Sequence, residues 1–136
     1  MAASPSDVVG VWKLAGGSAT DPAGNSVGVP FGPRGMGLVS LTADGRMMAV
    51  LVDGRAELPD GARREYSSYC GNYTFDGSTL VTTVDAASDP ARMGTRQVRK
   101  VRFEDGRMIL VPPDREEGGL TVRRELAWER ISPIPL

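Results

Sequence analysis

Four side chains in this sequence have the type and spacing to hold or protonate an oxygen anion: Arg99, Arg124, Tyr69 and Tyr73. If strands carry them, alternation puts Tyr69 and Tyr73 of "YCGNYTF" on one face. The same rule groups Arg99 with Gln97, Val101 and Phe103, and Arg124 with Leu120, Val122, Leu126, Trp128 and Arg130. An inward arginine is costly unless it meets a carboxylate, backbone carbonyls, water or an anionic ligand. The functional reading is a clamp for a carboxylate, phenolate or enolate, with the tyrosine hydroxyls as hydrogen-bond or proton donors. The structural reading is an internal ion pair for the arginines and space filling for the tyrosines.

The rest of the inventory narrows the chemistry. The chain has no histidine and a single cysteine, which excludes histidine-dependent nucleophilic machinery and Cys- or His-rich zinc sites built from this chain alone. Cys70 has no cation beside it in sequence to activate a thiolate, and we read it as a small residue facing away from the tyrosines. Neither a Gly-x-Gly-x-x-Gly fingerprint nor a Walker loop is present; no metal and no cofactor is expected. Glu125 and Glu129 alternate outward among arginines and suit surface pairing, while Asp85 and Asp89 flank a Pro90 loop and suit turn and capping roles. Met47, Met93 and Met108 suit an adaptable cavity lining or plain core filling. The run "RQVRKVR" is basic, but a formal net charge of −1 gives no field to recruit nucleic acid or a membrane surface, and neither is expected as a partner.

These groups need elements to place them. At 136 residues the chain fits one domain, 1–136, with its core at about 7–131. Asp-Gly steps at 44–45, 76–77 and 105–106 separate runs rich in β-branched and aromatic residues, and each predicts an antiparallel hairpin. Further strands are expected at "DVVGVWKL" and "LTVRRELAWERI", a weak hairpin around "DPAGN", and at most one helical turn in "GRAELPDGARREY", where Pro59 and Gly61 interrupt. A three-residue loop at Ala43-Asp44-Gly45 pairs Leu41 with Met47 and Val39 with Ala49. At Asp76-Gly77 two loop lengths compete, placing either Thr82 or Thr83 beside the tyrosines. The rhythm indicates a meandering sheet that closes on itself or folds into a sandwich. Closure would make the first and last strands neighbours and stack Arg130 on Trp12, a structural role. "MAASPSDVVG" lacks the basic and apolar regions of a secretory signal and no apolar run is long enough to span a bilayer, so a cytoplasmic monomer or homodimer is expected.

The residues also resemble a family. "VVGVWKL" carries a Gly-x-Trp step, and "GLVSLTADGRMMAVL", "YCGNYTFDGSTL", "DPARMGTRQVRKVRFEDGRMIL" and "LAWERI" follow in the order of the small bacterial and fungal lipocalin-like domain, over Asp7 to Ile131. The resemblance implies an all-β, antiparallel, mostly up-and-down barrel of about 8–10 strands with little helix. It also implies an internal cavity for a small apolar or amphipathic molecule. Val39, Leu41, Met47, Ala49, Leu51, Tyr69, Tyr73, Thr82, Gln97, Arg99, Val101, Val122 and Arg124 are the expected lining. Related barrels include cofactor-free cyclases and isomerases of natural-product chemistry; in that alternative Tyr69, Tyr73, Arg99 and Arg124 are the catalytic candidates. Two departures stand out: Thr82 and Thr83 occupy "LVTTV", where the family often has histidine, and the segment before Tyr69 is short. A third reading, a sheet-edge interaction module, requires an open edge.

Overall fold

The computed structural model describes residues 3–132. Where Asp-Gly steps interrupt the β-branched runs, the chain reverses as expected. Strand β1 (Gly10–Thr20) is followed by three hairpins: β2 (Gly35–Leu41) with β3 (Arg46–Asp53), β4 (Tyr66–Phe75) with β5 (Thr79–Ala87), and β6 (Arg96–Glu104) with β7 (Arg107–Val111). A three-residue β8 (Arg115–Glu117) and the long β9 (Leu120–Arg130) complete the chain. At the β6–β7 turn both Asp105 and Gly106 have positive φ, 51° and 78°, the backbone twist that a two-residue hairpin loop demands.

Every neighbouring pair is antiparallel, and β9 returns to pair with β1, closing an eight-stranded barrel. Among the described residues nine strands make eight positions because β7 and β8 share one. Both pair with β9, β7 through Met108 to Leu110 and β8 through Arg115 to Glu117. Pro112 and Pro113 lie between them and cannot donate to a ladder, and the pairing frame shifts by one residue across the gap. Lys100 to Glu104 of β6 pair with β7, but Arg96 to Arg99 pair only with β5. One short strand edge therefore survives in the wall.

The registers decide which side chains face inward. Leu41 pairs with Met47 and Val39 with Ala49, as the loop length predicts. The open choice at Asp76-Gly77 resolves to Tyr73 opposite Thr82. A bulge between Cys70 and Gly71 then restores the frame, and Gly71 sits so close to the Thr83 carbonyl that no β-carbon fits. Trp12, Val39, Leu41, Met47, Ala49, Leu80, Thr82, Met108 and Trp128 form the most deeply buried inner layer. At roughly 25 cal/mol per Å² of apolar surface removed from water, this layer supplies the main driving force for closure.

One end is sealed by a structural device. The Trp12 indole N–H donates to the Val8 carbonyl at 2.9 Å, holding a single 3₁₀ turn, Pro5–Val8, across the opening. The Arg130 guanidinium lies 4.2 Å above the Trp12 ring and donates to the carbonyls of Val9 and Asp7. Gly10, at φ 138°, leaves room for it: a β-carbon there would come within 2.5 Å of Arg130 Nη1. The expected pairing of Trp12 with Arg130 is thus present and structural.

Two local expectations are corrected, on β1 and Met93, and two others are met in a minimal form. β1 does not end near Leu14 but continues to Thr20, because a bulge at Leu14/Gly16 lets Gly17–Thr20 pair with β9. The weak hairpin expected around "DPAGN" is present, an antiparallel bridge of Thr20 with Ser26 around a turn in which Asp21 accepts from the amides of Ala23 and Asn25. "GRAELPDGARREY" stays within the limit of one helical turn: it forms none, and a reverse turn closes from the Ala62 N–H to the Pro59 carbonyl. Met93 is exposed beyond the second 3₁₀ turn, Pro90–Arg92, and lines nothing internal. Among the described residues no helix is long and apolar enough to cross a membrane.

Candidate functional site

The end opposite Trp12 and Arg130 holds an internal cavity of about 130 Å³. Its floor is Val39, Met47, Ala49, Leu110 and Trp128, contributed by β2, β3, β7 and β9. Among them Ala49 is small and Met47 unbranched, which leaves space at this end, while the other end is filled by Trp12, Leu41 and Leu80. Its mouth is covered by Pro30 and Phe31 of the β1–β2 loop and bordered by Pro112 and Pro113. Phe31 is buried in a left-handed conformation at φ 62°, and its N–H donates to Glu65 Oε1 at 2.7 Å. A non-glycine residue held there is strained, and surrounding contacts must fix it. The neighbouring loop is anchored by Asp53, which is 2% exposed and bonded to Arg55, while Arg64 donates to the carbonyls of Asp53 and Arg55.

The polar part of the lining has one sign. Arg92, Arg99, Arg115 and Arg124 all border the cavity, and no acidic residue does. Arg115 and Arg124 share a single carboxylate oxygen, Glu117 Oε1, at 2.8 and 2.9 Å. Among the described residues Arg92 and Arg99 have no carboxylate within ion-pair distance. Arg99 donates to the Val98 carbonyl at 2.9 Å and to Gln97 Oε1 at 3.3 Å. Burial pushes its guanidinium below the ordinary arginine range; Tyr69 opposes that shift and Arg92 adds to it. Arginine stays charged even so. Arg92 stacks 5.4 Å from the Tyr69 ring centroid and donates to Ser67 Oγ at 3.3 Å. Two buried donors lack any acceptor among the described residues, Arg124 Nε and Trp128 Nε1. Buried donors without partners are uncommon, and each leaves a desolvation cost unmet.

Of the residues expected to bind ligand, the structure brings Val39, Met47, Ala49, Leu51, Tyr69, Arg99 and Arg124 to this cavity. Leu41, Tyr73, Thr82, Gln97, Val101 and Val122 share the barrel's inner side but lie outside the cavity lining. For Tyr73 the reason is explicit: its hydroxyl donates to the Thr42 carbonyl at 2.6 Å, and burial, with Asp44 nearby, pushes the phenol's pKa up. It ties the β2–β3 turn to β4. Cys70 faces outward, 3.6 Å from Asp85 Oδ1, and Asp85 is taken by Arg46. Asp89 caps the second 3₁₀ turn through the Ala91 N–H. Glu125 pairs with Arg102 and Arg123 on the outer face. A wider depression of about 810 Å³ lies outside the barrel between β1 and the β6–β7 turn. Its charges, among them Arg102, Glu104 and Glu125, already neutralise one another, so it is a solvated groove.

Sequence reasoning missed Phe31, Arg92 and Arg115, which sit on loops or beside the proline break, where alternation says nothing. The proline pair was a usable signal: two prolines after "MILV" must end a ladder and open the wall.

A family model described as a lipocalin-like domain matches residues 9–131. Comparisons with curated proteins and with solved structures return no significant match.

Proposed function

The chain belongs to the lipocalin-like domain family, and on that footing we propose that it binds a small apolar or amphipathic molecule inside the barrel. The observation that carries this is the cavity itself, walled by Val39, Met47, Ala49, Leu110 and Trp128 in a barrel whose other end is packed solid. Its volume corresponds to about four waters' share of liquid, below the ~300–1,000 Å³ common for drug-sized ligands. The body it encloses is a single ring or a short branched chain. Native mass spectrometry of protein purified from its own producer tests this, with a retained small molecule expected. Calorimetry with a neutral one-ring probe such as indole gives a second readout. Ala49→Phe, which fills the floor, should abolish that binding while the fold survives. No retained molecule, together with no indole binding, would sink the proposal.

The presence of Tyr69 and Arg99 together in the cavity lining supports a second reading. A cofactor-free isomerase or cyclase would use such donors to stabilise an enolate. Conversion of the retained compound by the wild type, lost in Tyr69→Phe, is the expected result for that reading; recovery of the compound unchanged refutes it.

A further inference from the structure

We propose that the ligand is a compact organic acid, its carboxylate held at the cavity mouth by Arg99 and Arg92 and its apolar body seated against Met47, Ala49 and Trp128. This rests on the small-molecule reading above and adds the ligand's charge and orientation to it.

Three observations converge. Four guanidiniums border the cavity against one carboxylate, Glu117, which lies outside its lining and is shared by Arg115 and Arg124. The chain as a whole is slightly acidic, so this concentration of positive charge is local rather than compositional. The two cations with no carboxylate partner among the described residues are on neighbouring elements, the 3₁₀ turn before β6 and β6 itself, with the Tyr69 ring in contact with Arg92. A half-buried cation without a counter-charge is costly, and a bound carboxylate removes that cost with charge-assisted hydrogen bonds. Among the described residues Arg99 has neutral acceptors, the Val98 carbonyl and Gln97 Oε1, the latter at a long 3.3 Å. Exchanging the weaker of these for a carboxylate oxygen strengthens the interaction.

The orientation follows from where the charges stop. The floor residues Val39, Met47, Ala49, Leu110 and Trp128 include no charged side chain. An anion placed there would lose its hydration without compensation. The acid therefore enters with its apolar body first and leaves its carboxylate among the arginines. A carboxylate suits the site better than a phosphate monoester. Its planar pair of oxygens matches a guanidinium fork, and its single charge fits beside an apolar chamber of about 130 Å³.

A matched pair of probes, phenylacetate and phenylacetamide, tests this by calorimetry. The acid is expected to bind at least tenfold more tightly than the amide, and increasingly weakly as salt is raised. Arg99→Met should weaken the acid about tenfold and leave the amide within twofold, and Arg99→Lys should fall between. Arg92→Met, on the more accessible element, carries the same expectation at threefold or more if Arg99→Met does not fold, with near-ultraviolet circular dichroism as the check. If amide and acid bind equally, or if both arginine variants hold the acid as well as wild type, the acid assignment is overturned and cavity binding stands. If indole and both probes fail to bind, cavity binding falls with it.

Discussion

Replacing Arg130 with alanine removes three contacts at the sealed end, and their sizes set an expected cost. The guanidinium over the Trp12 ring contributes about 0.5–2 kcal/mol as a cation–π contact. Its bonds to the carbonyls of Val9 and Asp7 involve a charged donor in a part-exposed place, worth about 1 kcal/mol each. Water replaces the Asp7 contact better than the Val9 contact, because the former is exposed and the latter part-buried. The total is about 2–4 kcal/mol, large against the ~5–15 kcal/mol of a whole domain. With an unfolding entropy near 2.1 cal/mol/K per residue, a chain of this length loses roughly 7–14 °C of Tm. Arg130→Lys keeps a cation over the ring but cannot reach both carbonyls with one planar fork, and should recover about half the loss. Urea unfolding followed by near-ultraviolet circular dichroism of the tryptophans reads the effect. Because the partners are a ring and carbonyls rather than an exposed carboxylate, the cost should persist at high salt. An alanine variant within about 0.5 kcal/mol of wild type, the range of an ordinary surface change, would refute the claim that the first and last strands are locked through this residue.

Two further outcomes are expected. Gly71→Ala must push the Thr83 carbonyl aside at the β4–β5 bulge, and an overpacked backbone of this kind costs about 2 kcal/mol or more; a urea midpoint close to wild type would show that the bulge is not constrained. Asp53, Asp85, Glu117 and Glu125 are held below the ordinary carboxylate range, each first of all by a side-chain bond, from Arg55, Arg46, Arg115 and Arg102 respectively. Their unfolded forms take up protons at higher pH than the folded ones. Tm should therefore be level above about pH 5 and fall as pH drops through about 4. A chain without histidine should show no step between about pH 5.5 and 8, and such a step in a Tm series would contradict this account.

The hairpins were legible because Asp-Gly turns and β-branched runs are local signals, and the inward faces followed from a period of two. Turn rhythm alone left closure and a sandwich both open; the family resemblance implied the barrel, and only given closure did Trp12 and Arg130 become partners. The extent of β1 was not legible, because Ala15 to Thr20 carries no apolar alternation and is held as a strand by pairing with β9. The cavity was half legible. Which inner residues leave a void depends on layer height inside the barrel, and alternation assigns a side but not a height. That is why Thr82 and Val101 share the interior with Ala49 yet miss the cavity. Phe31 was beyond reach, because its position depends on a contact with Glu65, distant in sequence.

The proline break between β7 and β8 has a consequence for traffic. A closed barrel ordinarily exchanges its contents through an end, and widening its wall means rupturing rungs of the ladder. Here Arg96 to Arg99 of β6 have no rungs on the side facing Pro112 and Pro113, and Arg99 borders the cavity at that place. The wall can gape at that seam by moving side chains and a three-residue strand, leaving the backbone pairing of the other seams intact. The sealed end holds the first and last strands together, and the seam is where the wall has the fewest rungs to lose.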